Sequence, residues 1–194
     1  MNVEHLKSYD AIVMGASAGG LYVMISILKL LPVNFNKPVI VVQHRSRDER
    51  SLLEEVLQQQ CKVTIKQADE KELIQPGTVY FAPPDYHLLI ENDSTFSLSC
   101  DAPVNYSRPS IDVLFETAAD VFKERLLAII LTGANKDGSQ GIKKIAGMGG
   151  TTIAQSPETA DYPEMPGAAI STGYVQHILD PGAIGQFLLD TMKK

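Results

Sequence analysis

The chain has 194 residues, 44% of them hydrophobic and 21% charged, which is enough apolar material for one domain with a full core and too little charge excess for a disordered polymer. A formal net charge of -6 and an isoelectric point near 5.2 exclude the basic footprint that neutralises nucleic-acid phosphates or anionic lipid. The two cysteines, Cys61 and Cys100, lie far apart with no CxxC spacing, which suits a reducing compartment and argues against a thiolate metal centre.

Residues 1–9 read as a polar leader to a single domain over 1–194. No basic start with an apolar segment and cleavage site opens the chain, so a cytoplasmic protein is expected. The longest apolar-rich stretch, 21–31, is broken by Ser26 and Lys29 and is shorter than the ~20 residues that span a bilayer; direct membrane insertion is not expected.

A first strand is predicted over 11–14. It breaks into Gly15-Ala16-Ser17-Ala18-Gly19-Gly20 and then into a helix predicted over 20–31. Glycines around a serine at a strand-to-helix turn form a nucleophile-elbow pattern, because the backbone can turn sharply and present the hydroxyl. Amides at the start of the helix lie nearby, where an oxyanion would be stabilised. Glycine-rich turns also bind phosphates. A dinucleotide fingerprint, however, wants glycine where Ser17 stands and an acidic residue after the next strand, where Gln43 and His44 follow instead. A P-loop needs a Lys-Ser or Lys-Thr pair after its glycines, and none follows them here.

The second strand, 39–42, ends just before His44, at the carboxyl edge where open α/β sheets gather their chemistry. A helix over 47–59 and a strand over 62–66 follow. The middle of the chain reads as an antiparallel hairpin insertion, with short strand patterns at 79–82, 88–91 and 95–99 separated by Pro83-Pro84-Asp85 and by Glu91-Asn92-Asp93-Ser94. His87 falls in its proline-bounded turn. A helix over 110–122 places Ile111, Leu114, Phe115, Ala118, Ala119 and Phe122 on one face, with Ser110 as its N-cap after Pro109. The strand 127–131 runs out through Thr132-Gly133-Ala134-Asn135-Lys136 to Asp137-Gly138 and a helix over 138–148. Asp137 is the carboxylate candidate there, and it also reads as the cap of that helix. Strands at 151–154 and 174–177 and a helix over 181–192 complete the chain. The alternation predicts an α/β fold: a three-layer, doubly wound, mainly parallel sheet with helices on both faces and a small antiparallel β-hairpin insertion.

A serine hydroxyl needs an imidazole to take its proton and a carboxylate to orient that imidazole. Of the four histidines, His5 lies in the leader, His87 in a turn and His177 near a late strand end; His44 is best placed. Asp85 and Asp112 are weaker acids for the role than Asp137, being in a turn and at a helix start. Two orders are open: Ser17, Asp137, His177, as in α/β-hydrolases, or Ser17, His44, Asp137. The elbow occupies the first strand here, whereas α/β-hydrolases place several strands before it, and this favours His44.

The elbow at 12–20, Gln43-His44, the turn Ala82-Pro83-Pro84-Asp85-Tyr86-His87, Arg108-Pro109-Ser110-Ile111-Asp112-Val113-Leu114-Phe115, Leu131-Thr132-Gly133 through Asp137-Gly138, Gly150-Thr151-Thr152-Ile153-Ala154-Gln155 and Met165-Pro166 together resemble the catalytic domain of the chemotaxis protein-glutamate methylesterase (CheB-type) family. The resemblance implies a serine hydrolase with Ser17 as nucleophile, His44 as base and acid, and Asp137 orienting His44, with no metal or organic cofactor. It implies demethylation of glutamyl methyl esters, and deamidation of glutamines, on the cytoplasmic helices of chemoreceptors. A separate response regulator and a receptor methyltransferase are further implied partners. His87 and Arg108 lie inside matching motifs as structural or substrate-side candidates. Family members typically carry a receiver domain before the catalytic strand; here a short leader stands there, so phosphorylation-driven relief of inhibition is not expected within this polypeptide. Ala18, Pro84 and Ala134-Asn135-Lys136 depart from the usual motifs. A small-molecule carboxylesterase and a non-catalytic signalling adaptor are the competing readings.

Overall fold

Apolar runs with almost no alternation, such as Ile12-Val13-Met14, Val39-Ile40-Val41-Val42 and Leu127-Ala128-Ile129-Ile130, suit strands covered on both faces. The computed structural model describes residues 8–45 and 52–193. In chain order it contains β1 (Ala11–Ala16), α1 (Gly20–Leu28), β2 (Val39–Gln43), α2 (Leu53–Gln60), β3 (Thr64–Gln67), β4 (Thr78–Phe81), β5 (His87–Ile90), β6 (Phe96–Ser99), α3 (Ile111–Phe122), β7 (Leu126–Ile130), α4 (Ser139–Gly147), β8 (Thr151–Gln155), α5 (Glu164–Ser171), β9 (His177–Leu179) and α6 (Pro181–Asp190). His5, most of the leader and the start of the helix expected over 47–59 lie outside the described residues. Tyr9, assigned to the leader, is buried, and its hydroxyl donates to Thr151 Oγ1 at 3.0 Å.

Seven strands form one sheet in the order β3-β4-β2-β1-β7-β8-β9, every pair parallel. β5 and β6 form the separate antiparallel hairpin. The expected architecture is therefore present, with one correction: β4 belongs to the main sheet, between β2 and β3, and not to the hairpin insertion. Val79, Tyr80 and Phe81 are all buried, and a run apolar at successive positions fits a covered parallel strand better than a half-exposed hairpin.

Two further differences have local causes. No helix is predicted over 164–171, yet α5 forms there; Pro163 and Pro166 flank its first turn, where proline is tolerated because the amides have no helical partner. The last strand starts at His177 instead of ending there, since Gly173 in a left-handed turn at φ 77° and the loop to Gln176 occupy the preceding positions.

Both sheet faces are covered. On one, Ile12, Met14, Val41 and Ile129 pack against Met24 and Ile27 of α1, Leu57 of α2 and Leu188 of α6. On the other, Val13, Val42 and Ile130 meet Leu114 and Phe115 of α3, Ile142 of α4 and Met165 of α5, with Leu88 and Phe96 of the hairpin. Each such fully buried side chain contributes about 1.5–3 kcal/mol. The chain leaves β1 toward β2 and leaves β7 toward β8, so the winding direction switches between the neighbours β1 and β7, and the crevice of an open α/β sheet opens at such a switch.

Candidate active site

The carboxyl ends of β1, β2 and β7 converge at this switch. Ser17 directly follows β1, and its backbone is held from three sides: its amide donates to Thr132 O at 3.0 Å, and its carbonyl accepts from Gly20 N at 2.9 Å and from Gln43 Nε2 at 2.8 Å. Gly19 closes the turn at φ 77°, a conformation an L side chain resists. Among the described residues, the Ala18 and Gly19 amides donate to no acceptor. They sit beside the N-terminus of α1, whose partial positive charge favours an anion.

His44 is placed by the next strand. Ala16 and Gln43 are the last register partners of β1 and β2, and the His44 amide donates to Ala16 O at 3.0 Å, so His44 stands beside Ser17 one step beyond the paired strands. The Gln43 amide group ties the two together, donating from Nε2 to Ser17 O at 2.8 Å and to His44 O at 2.9 Å. Reading the sequence missed this role; the position next to His44 was its one signal.

Asp137 lies in the loop after β7 and is fully buried. Its Oδ2 is 2.8 Å from His44 Nε2 and accepts from Ile111 N at 2.7 Å. Its Oδ1 accepts from Ser110 Oγ at 2.9 Å, Asn105 Nδ2 at 3.1 Å, Gly138 N at 3.1 Å and Asp112 N at 3.2 Å. Burial pushes this carboxyl up, but the hydrogen bond and charge of His44 and the donors from Ile111 and Asn105 outweigh it, holding Asp137 below its ordinary value. The helix it caps is α3, not α4 as expected. Ser110 does stand at the N-cap position of α3, but its side chain caps nothing and points to Asp137 instead. Asp112 is also buried, accepting from Gly141 N at 2.8 Å and from Asn105 Nδ2 at 2.9 Å. Burial, opposed by the Gly141 amide and reinforced by the nearby Asp137 charge, pushes its pKa up to about 6.

An ionised Asp137 accepts the Nε2 proton, which leaves the lone pair of His44 on Nδ1. Around Nδ1 stand Asn135 Nδ2 at 3.3 Å and Ser107 Oγ at 3.4 Å. Among the described residues the Ser17 hydroxyl makes no hydrogen bond, so His44 and Asp137 are joined directly while Ser17 is brought to them by backbone alone. Catalytic hydrogen bonds often tighten only once substrate is bound.

The remaining candidates fall elsewhere. His177 lies on edge strand β9 and packs on Phe187 at 5.5 Å between ring centroids, which removes the order Ser17, Asp137, His177. His87 is buried and structural: its Nε2 pairs with Ala102 O at 3.1 Å and its Nδ1 accepts from Ser110 N at 3.2 Å. Arg108 clamps the same loop, reaching Asp85 Oδ1 at 2.7 and 3.0 Å and Cys100 O at 2.6 Å. Cys61 is buried and Cys100 exposed, both free thiols. Among the described residues no cluster of three or more His, Cys, Asp or Glu side chains is arranged to hold a metal ion, and no helix is long and apolar enough to cross a membrane.

Two cavities open at this edge. One, of about 210 Å³, is lined by His44, Arg45, Pro103, Tyr106, Ser107 and Arg108; the other, of about 400 Å³, by Asn105, Tyr106, Asn135, Lys136 and Glu164. A hydroxyl, a tautomerically fixed imidazole, a buried carboxylate and free amides beside a cleft are the parts that acyl transfer requires.

Comparisons with known proteins point to one family. The family model described as CheB methylesterase matches residues 12–188. A candidate protein-glutamate methylesterase/protein-glutamine glutaminase of Leptospira interrogans is 48% identical over 182 residues, covering 94% of this chain and 94% of its own length. The protein-glutamate methylesterase/protein-glutamine glutaminase of Thermotoga maritima is 35% identical over 92% of this chain, which spans 53% of that longer protein. The crystal structure of the Thermotoga maritima CheB methylesterase catalytic domain superposes with a TM-score of 0.90 at 35% identity, covering 94% of this chain and 98% of that one.

Proposed function

This chain belongs to the CheB methylesterase family, and we propose that it hydrolyses glutamyl methyl esters on the cytoplasmic helices of chemoreceptors through Ser17, His44 and Asp137. The observation that carries the assignment of roles is the 2.8 Å contact of His44 Nε2 with a fully buried Asp137, at the sheet edge where Ser17 emerges. With Nε2 committed to Asp137, Nδ1 is the nitrogen that takes the Ser17 proton as Oγ attacks the ester carbonyl. The oxyanion forms beside the free Ala18 and Gly19 amides. His44 returns the proton to the departing methoxide, which leaves as methanol. A water then attacks the acyl-enzyme with His44 again as base, freeing the glutamate carboxylate and restoring Ser17.

The names of the relatives include glutaminase, and the same steps on a glutamine side chain release ammonia and leave the same carboxylate. A cytoplasmic location follows from a substrate of this kind. A separate response regulator and a receptor methyltransferase are the partners that complete such a cycle. Apart from that water, these steps draw only on side chains and amides of this chain.

The test is methanol release from a methyl-esterified helical fragment of a chemoreceptor cytoplasmic region. Wild-type protein releases it, and Ser17→Ala and His44→Ala do not; release by Ser17→Ala at the wild-type rate would defeat the proposal.

A further inference from the structure

Resting on the reading of the site just given, we infer that the rim of the carboxyl edge is a docking surface for a helical protein segment, with Tyr106 as its principal contact and the determinant that favours a protein ester over a small free one. Among the described residues five tyrosines are exposed. Three of them follow the carboxyl ends of sheet strands: Tyr22 on the first turn of α1 after β1, Tyr86 after β4, and Tyr162 after β8, where its backbone bonds Thr132 and Gly133; a fourth, Tyr106, lies in the loop after the hairpin strand β6 and lines a cavity with His44. Tyrosine supplies broad contact area at low entropic cost and is enriched at interfaces.

Tyr106 stands apart from the others. Val104 and Ser107 exchange two backbone hydrogen bonds, at 3.1 and 2.9 Å, around Asn105 at φ 48° and Tyr106 at φ 63°. Two left-handed residues define a type I′ turn, in which Asn-Gly is the preferred pair. Asn105 fits the first place; a tyrosine holds the glycine place against its own preference. Its side chain gains no packing in return, since the residue is fully exposed at 104%. A strained aromatic with no internal contact is explained by contact with something outside the chain.

The turn is also rigid where it needs to be. Asn105 anchors it to Asp137 and Asp112, Ser107 to His44, and Arg108 to Asp85. Tyr106 is thereby fixed relative to the reacting groups and lines both cavities, so a ligand engaging it loses little freedom in the protein. Exposed tyrosines contributed by three sheet-strand ends and by the hairpin loop suit a helix laid across the cleft. Lys136, which shares the rim of the larger cavity with Glu164, forms no ion pair among the described residues and is the cation there that can meet a carboxylate of a helix rich in glutamyl groups.

The experiment compares wild type, Tyr106→Gly and Tyr106→Phe in the full chain on two substrates: the methyl-esterified chemoreceptor fragment and p-nitrophenyl acetate. Tyr106→Gly lowers the ratio of kcat/KM for the fragment to that for the small ester by about tenfold, mainly through KM, the size of a hot-spot contact. Tyr106→Phe keeps the ratio within about twofold, because the ring supplies the contact. An unchanged ratio in the glycine variant, or an equal fall in both variants, overturns the inference. A wild-type protein that turns over p-nitrophenyl acetate but releases no methanol from the fragment overturns the functional reading itself, and the inference with it.

Discussion

The Oδ2 of Asp137 lies 2.7 Å from the amide nitrogen of Ile111, so the carboxylate that meets His44 also caps a helix begun by a distant segment of the chain. Orientation of the imidazole and the start of α3 depend on one buried anion.

Asp137→Ala is accordingly expected to lose stability as well as turnover. It strips the acceptor from the Ile111, Asp112 and Gly138 amides and from the Ser110 hydroxyl, all in a buried place, at a cost of about 2–4 kcal/mol. Ser17→Ala removes a hydroxyl that bonds nothing among the described residues and shifts stability by less than about 0.5 kcal/mol. Urea unfolding of the two variants separates these outcomes; equal midpoints would show that the cap contributes nothing.

Asp112 and Asp137 shift in opposite directions, which gives stability a defined pH profile. Asp112, raised from 3.8 to about 6, binds more protons folded than unfolded between those values, so its ionisation penalises the fold in full above pH 6 and the penalty shrinks steadily as pH falls from 6 toward 3.8. Asp137, held low, stabilises above the unfolded carboxylate value, and that contribution is lost as pH falls through its folded value. Stability should therefore rise from pH 8 to pH 5, by about 1.4 kcal/mol from Asp112, and fall in stronger acid. Asp112→Asn should flatten the rise. Unfolding free energies measured at intervals across this range decide it, and an undiminished rise in the variant places its source elsewhere.

That Ser17, His44 and Asp137 lie at one edge was legible in the sequence for one physical reason: each follows an apolar run that a parallel sheet buries. The sheet and its helices were legible from the same runs. Residues acting through long-range hydrogen bonds were not. Gln43 looks like the end of a strand, Asn105 like part of a polar loop, and Asp137 like the cap of the helix next to it, because sequence shows neighbours and these groups bond across 26 and more positions. The parallel pairing of β4 was missed because three short strands in a row resemble a meander, and only burial on both faces distinguishes the first.

Two serines compete for the imidazole in space, since Ser107 Oγ is 3.4 Å from His44 Nδ1. Only Ser17 has free amides and a helix N-terminus beside it to receive an oxyanion. A fluorophosphonate probe should therefore label wild-type protein and Ser107→Ala on Ser17, and leave Ser17→Ala unlabelled. Ser107→Ala should slow labelling by less than about tenfold, the effect of one neutral hydrogen bond. His177→Ala, remote on β9, should label at the wild-type rate. Peptide mapping of the adduct checks the assignment, and an adduct on Ser107 would reverse it.

Gly133 tests how closely the nucleophile is packed. A Cβ there would stand 2.6 Å from Met165 Cε, 2.7 Å from Met165 Sδ and 2.9 Å from Ser17 Cβ. The methionine end can swing aside, although its full burial makes that costly; Ser17 Cβ belongs to a backbone pinned by Thr132, Gly20 and Gln43 and has nowhere to go without moving the hydroxyl. Gly133→Ala should lower kcat by about a hundredfold, the penalty of an ångström-scale misplacement, while costing about 1–3 kcal/mol of stability. Adding Met165→Ala makes room for the methyl group but removes a fully buried side chain at a cost of about 2–5 kcal/mol, so stability should not recover, and kcat should stay low because the contact with Ser17 persists. A kcat that returns in the double variant would mean that the glycine serves Met165 packing alone and that Ser17 tolerates a closer neighbour than this geometry allows.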